Sequence, residues 1–101
     1  MIETLMAFNV DHMTRWTRFV AEVEQGYDLT IYDYTNNLAA RDNLEADSAG
    51  VLKPLDDRFR SATRDAARVL PGAPDDAKWW WRRVPVRPGE ELTVDLEREG
   101  L

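Results

Sequence analysis

The stretch from Thr30 to Glu45, Thr-Ile-Tyr-Asp-Tyr-Thr-Asn-Asn-Leu-Ala-Ala-Arg-Asp-Asn-Leu-Glu, places the tightest constraint on the fold. It reads as a helix with its own start signal: Thr30 is an N-cap, and Asp33 lies three residues on, beside the exposed N–H groups. At about 100° per residue, Ile31, Tyr34 and Leu38 form one stripe, which then continues through Arg41, Asp42 and Glu45. A helix that packs on its neighbours should stay apolar along that stripe. This one turns charged halfway along, so polar groups are expected where other helices should pack.

The remaining helices follow from periodicity. Asn9 is a candidate N-cap, with His12 at the third helical position. Val10, Met13, Trp16, Val20 and Val23 recur at spacings of three and four, and Phe19 widens the stripe. Gly26 is the natural stop, because glycine takes the left-handed conformation freely. The first helix is therefore about 9–25 and the second about 30–46, ending among the small residues before Gly50. The link Tyr27-Asp28-Leu29 is short, so the two should lie antiparallel. Pro54 suits the first turn of a third helix, about 54–70, with Leu55, Phe59, Ala62, Ala66 and Val69 or Leu70 as its apolar face. Asp56 and Asp57 at its start, and Arg64 and Arg68 near its end, suit the helix dipole. Pro71-Gly72 should end it.

The C-terminal arm, 78–101, reads differently. Pro85 and Pro88 oppose helix in the residues before them, so Trp79 to Val86 is expected to be extended. Leu92, Val94 and Leu96 alternate like a strand, but Leu92 and Leu96 also share a helical face behind Glu90 and Glu91; a short helix is preferred to a hairpin. The expected fold is thus mainly α: a single compact three-helix domain over 1–101, with a Trp-rich extended C-terminal arm.

Charge and composition narrow the functional classes. The net charge is −6. Residues 1–50 hold nine acids and three bases, and residues 51–101 hold ten of each. An acidic first half favours a basic protein partner and disfavours nucleic acid, whose phosphates call for clustered Lys and Arg. Solubility is the plainer use of the same charge. The absence of cysteine rules out disulfides and thiolate metal sites. No apolar run is long enough to span a bilayer, and the start lacks a basic n-region and a long apolar segment, so a cytoplasmic location is expected.

Signals for catalysis are weak. His12 is the single histidine, Ser48 and Ser61 lack a Gly-rich elbow, and the pairs Asp56-Asp57 and Asp75-Asp76 lack calcium-loop spacing. No catalytic residue, metal site or cofactor is assigned. The candidate binding residues are Asp33, Asn37, Arg41, Asp42 and Arg58, together with Trp79, Trp80 and Trp81. Arg41 stands one turn before Glu45 and can pair with it. Arg41 and Asp42 are also placed for ion pairs between helices, with Arg58 or Arg60 as candidate partners; the competing use is the floor of a shallow polar groove. In an extended arm Trp79 and Trp81 would share one face and Trp80 would take the other, one face packing on the bundle and the opposite one serving a partner.

The pattern Tyr27…Asp33-Tyr34…Asn37-Leu38…Arg41-Asp42…Leu44, then Leu55-Asp56…Arg58-Phe59…Thr63, then Trp80-Trp81…Arg83…Pro85, resembles a set of small bacterial proteins with no established activity. The resemblance covers about residues 10–96. It implies a free-standing bacterial domain and supports treating Asp33, Asn37, Arg41, Asp42 and Arg58 together, without a catalytic role. The functional expectation is a non-enzymatic, acidic interaction protein of the immunity or antitoxin kind. The rival is a small-molecule binder or small enzyme that uses the polar patch of the second helix.

Overall fold

Aromatic residues from three helices meet at the centre of the protein, and the rest of the chain is arranged around them. The computed structural model describes residues 11–44 and 50–101. Four α-helices are found among the described residues: α1 (Asp11–Gln25), α2 (Ile31–Asp42), α3 (Leu52–Ser61) and α4 (Glu90–Glu99). Two short strands, β1 (Thr63–Asp65) and β2 (Arg83–Pro85), pair antiparallel with Arg64 opposite Val84. A 3₁₀ turn, Trp79–Arg82, leads into β2.

The stripe of α1 buries Trp16, Phe19, Val20 and Val23, and Gly26 follows the helix at φ +115°, where a side chain would be strained. The candidate cap Asn9 lies outside the described residues. Along the α1–α2 interface Phe19 meets Tyr34, while Trp16, one turn earlier, lies near Arg41 farther along α2. The two helices therefore run antiparallel, as their short link requires. Phe59 of α3 closes the cluster, with its ring centroid 5.0 Å from Trp16 and 5.8 Å from Phe19.

The start of α2 carries a capping box. Thr30 Oγ1 accepts from the Asp33 N–H, and the Asp33 carboxylate accepts from the Thr30 N–H in return. A further bond comes from outside the helix: Asp95 of α4 accepts the Ile31 N–H at 3.0 Å. α2 ends at Asp42, with Asn43 as C-cap. The helix thus stops short of the expected end near residue 46, with Asn43 already in the cap position; the expected Arg41–Glu45 pair falls on Glu45, outside the described residues.

α3 is shorter than its periodicity predicts. It stops at Ser61 instead of continuing to about residue 70, and the chain enters β1. Thr63 Oγ1 donates to the Phe59 carbonyl, and the Arg83 guanidinium donates to the carbonyls of Arg60 and Thr63 and to the Asp65 carboxylate. These bonds satisfy carbonyls that a helix end leaves without partners. The ladder extends beyond the strands: Val86 N–H donates to Ala62 O, Ala66 N–H to Arg82 O, and Leu70 N–H to Trp81 O. Pairing with 81–86 lets Leu70, Trp81 and Val84 reach the core, which a straight α3 would not achieve. Tertiary burial therefore overrides the local helical pattern.

The arm also differs from expectation. Trp79–Arg82 is a 3₁₀ turn, not an extended strand, and extension is confined to β2. Residues 90–99 form the helix α4, which buries Leu92 and Leu96 against the bundle and ends at left-handed Gly100. The hairpin alternative for that segment is not what forms. The result is a mainly helical domain with a small two-stranded sheet.

Candidate functional site

The charged half of the α2 stripe and the tryptophan run, read separately in the sequence, meet in one network. Arg41 is buried, and its guanidinium grips Asp56 of α3 with two bonds, Nε to Oδ1 at 3.1 Å and Nη2 to Oδ2 at 2.8 Å. Its Nη1 donates to the Leu44 carbonyl at 3.4 Å. The Arg41 Cζ also lies over the Trp80 ring, 4.2 Å from its centroid. Trp16 of α1 donates its indole N–H to the same Asp56. Asp42 accepts the indole N–H of Trp80 at 2.8 Å and that of Trp81 at 3.0 and 2.9 Å. Two adjacent α2 residues thus join α1, α3 and the 3₁₀ turn. A planar fork of donors suits this task because it can bond a carboxylate and stack on an indole at once.

The expected alternation of the indoles does not occur. Trp80 and Trp81 are both buried, and Trp79 is half-buried. Successive residues of a 3₁₀ turn point about 120° apart, so neighbours can be drawn to one acceptor while the third diverges. That acceptor is Asp42. Trp79 instead lies against Phe59 and edge-on to Trp80, with the Arg60 guanidinium 4.0 Å from its ring centroid.

The other candidate residues lie apart from this network. Asp33 belongs to the capping box at the far end of α2. Asn37 Nδ2 donates to the Asp33 carbonyl at 2.9 Å. Near it lies the buried Tyr27 hydroxyl, which has no hydrogen-bond partner among the described residues. Burial raises the Tyr27 pKa well above its usual value, partly offset by the Asn37 amide, with the Asp33 and Glu22 charges adding to the rise. Burial raises Tyr34 likewise; it stays protonated and donates to the Arg83 carbonyl at 2.8 Å. Arg58 does not reach Asp42. It is exposed and forks onto Glu24 of α1, with bonds of 2.9 and 2.6 Å. Those hydrogen bonds lower the Glu24 pKa and raise that of Arg58.

The expected partners of the α2 charges are therefore replaced. Asp56 pairs with Arg41 where Arg58 or Arg60 was anticipated for this pair of residues, and Asp42 binds indoles, not a cation. Asp56, Trp16 and Glu24 were not among the candidates. Asp56 reads in sequence as a helix-dipole residue and Trp16 as ordinary core, and Glu24 is not one of the residues that form the α1 stripe. Position on a single helix carries no signal for a partner on another.

Among the described residues, one cleft of about 290 Å³ lies beside the network itself, lined by Asp42, Leu44, Pro74, Asp76, Lys78 and Trp80. Three more bear on binding. One of about 400 Å³ is lined by Thr30, Glu90, Glu91, Val94 and Asp95. One of about 270 Å³ is lined by Glu22, Gln25, Gly26, Tyr27, Asp28 and Leu29. One of about 300 Å³ lies where Arg58 meets Glu24. The first two adjoin, because Asp28 packs directly on Gly89, the residue before α4. Among the described residues, no group of three or more acidic or histidine side chains is placed to hold a metal ion. No helix among them is long and apolar enough to cross a membrane. Comparison with protein-family models, with curated proteins and with solved structures finds no match to the chain.

Proposed function

We propose that the protein is a non-enzymatic interaction module of the bacterial cytosol, an immunity- or antitoxin-like partner that receives a basic protein on an acidic end. The observation that carries this reading is the pair of adjoining clefts where α1 ends and α2 and α4 begin. Glu22, Asp28, Glu90, Glu91 and Asp95 line them, and neither is lined by Lys or Arg. Arg98 approaches this surface only as the exposed partner of Asp95, at 3.6 Å. Leu29 and Val94, each about half exposed, supply apolar contact between the acids. A basic segment with an aliphatic side chain complements both properties, and the acidic rim accelerates its encounter.

The rival use, a ligand site on the polar patch of α2, needs the Arg41 donors to be open. They are engaged by Asp56 and Leu44, which supports a bracing role for Arg41 and Asp42. Capture from lysate of the source cells at low and high salt, followed by association kinetics with the captured protein, tests the proposal. The on-rate should fall about tenfold as salt rises from low values to about 0.3 M, and fall again in a Glu90→Gln/Glu91→Gln variant. An on-rate indifferent to both would refute it.

A further inference from the structure

The third cleft differs in charge from the acidic end. It lies between α1, the end of α3 and the turn after β2, and is lined by Val23, Glu24, Arg58, Ser61, Ala62, Val86 and Arg87. With Arg58 and Arg87 against Glu24, its lining carries a net positive charge in a protein of net charge −6. Glu24 occupies Nε and Nη2 of Arg58 and leaves Nη1 uncommitted. The Arg87 side chain and the Ser61 hydroxyl have no partner among the described residues. Only the main chain of Arg87 is held, its carbonyl accepting from the Tyr27 N–H at 3.0 Å. The same cleft has an apolar side: Val23 is buried, Ala62 is partly buried, and Val86 is 57% exposed. The Val86 N–H donates to the Ala62 carbonyl at 3.0 Å, so this wall is anchored to the end of α3.

From this arrangement we infer that the cleft between Arg58, Arg87 and Val86 binds an aliphatic carboxylate. The carboxylate takes the free Arg87 fork, the open Arg58 Nη1 and the Ser61 hydroxyl, while the aliphatic group covers Val86 and Ala62. A planar fork suits a carboxylate, and the apolar wall distinguishes such a ligand from a small inorganic anion. The cleft volume of about 300 Å³ holds a short branched chain with its headgroup. The same chemistry is offered by a free small acid and by the C-terminus of a peptide that ends in Leu or Val.

The test is an NMR titration of the full chain, following the Val86 methyls and the Arg87 side-chain N–H. The probes are 4-methylpentanoate, an acetylated tetrapeptide ending in Leu, the C-terminal amide of that peptide, and inorganic phosphate. Saturable shifts with either carboxylate, absent with the amide, are expected; the tighter of the two identifies the source. Arg87→Gln should weaken binding about tenfold, and Glu24→Gln, which releases Arg58, should tighten it. No saturation below about 20 mM, equal binding of the amide or of phosphate, or affinity unchanged by Arg87→Gln would overturn the inference.

Discussion

Replacing Arg41 with alanine should remove the brace between α2 and α3. The pair it forms with Asp56 is largely sheltered, with side-chain exposures of 11% and 16%. Breaking a buried ion pair from one side costs about 3–5 kcal/mol, because the remaining charge is left without its partner. Loss of the cation over Trp80 adds about 0.5–2 kcal/mol. Two features reduce the total: Asp56 keeps the Trp16 N–H, and its residual exposure lets water approach. A net loss of about 3 kcal/mol is expected, which in a domain of this size lowers Tm by about 12–24 °C. Urea melts read by tryptophan fluorescence give the equilibrium value. Arg41→Lys keeps the charge but loses the planar fork, so it should recover less than half of the loss. The cycle Arg41→Ala, Asp56→Ala and the double variant should show a coupling of about 2 kcal/mol. A change below about 0.5 kcal/mol for Arg41→Ala would show that Arg41 does not brace the fold.

Other outcomes follow from the same contacts. Trp80→Ala and Trp81→Ala should each cost about 3–5 kcal/mol in denaturant melts and Trp79→Ala clearly less; equal losses for all three would contradict the arrangement around Asp42. Glu24 has a lowered folded pKa, so its contribution is present above the unfolded carboxylate pKa and is lost as pH falls through the folded one. Carboxyl NMR should place its titration below the ordinary glutamate value in the parent chain and move it up towards that value in Arg58→Gln. At Gly89 an added Cβ would stand 2.5 Å from Asp28 Oδ1 and 2.9 Å from its Cα. Gly89→Ala should therefore cost about 1–3 kcal/mol, measured by thermal melt, despite a φ that alanine adopts easily.

Much of the candidate site was visible in the sequence as a conflict without a resolution. Arg41 and Asp42 stood out because they continue an apolar stripe, and the three indoles because consecutive tryptophans cannot all be core in a strand. Each anomaly accounts for the other: the indole N–H groups need acceptors, and Asp42 supplies one. The bonds involved span 15 residues between Arg41 and Asp56, 38 between Asp42 and Trp80, and 40 between Trp16 and Asp56. Periodicity over one or two turns holds no information at those separations.

What the sequence determined by itself are the features governed by neighbours along the chain. The Thr30–Asp33 cap, the apolar face of α1 and the stop at Gly26 each depend on a few adjacent residues and their backbone preferences, whereas 90–99 reads locally as strand or helix. Tertiary structure decided where α3 ends, the turn that Trp79–Arg82 adopts, and which charge meets which. In each case local preference is a weak term that tertiary contacts override. The helical pattern of 62–70 competed with burial of Leu70 beside Trp81 and Val84. The extended preference around Pro85 competed with two indole N–H groups reaching one carboxylate. Such small local differences yield to burial of large aromatic side chains, and that burial exists only when distant parts of the chain come together.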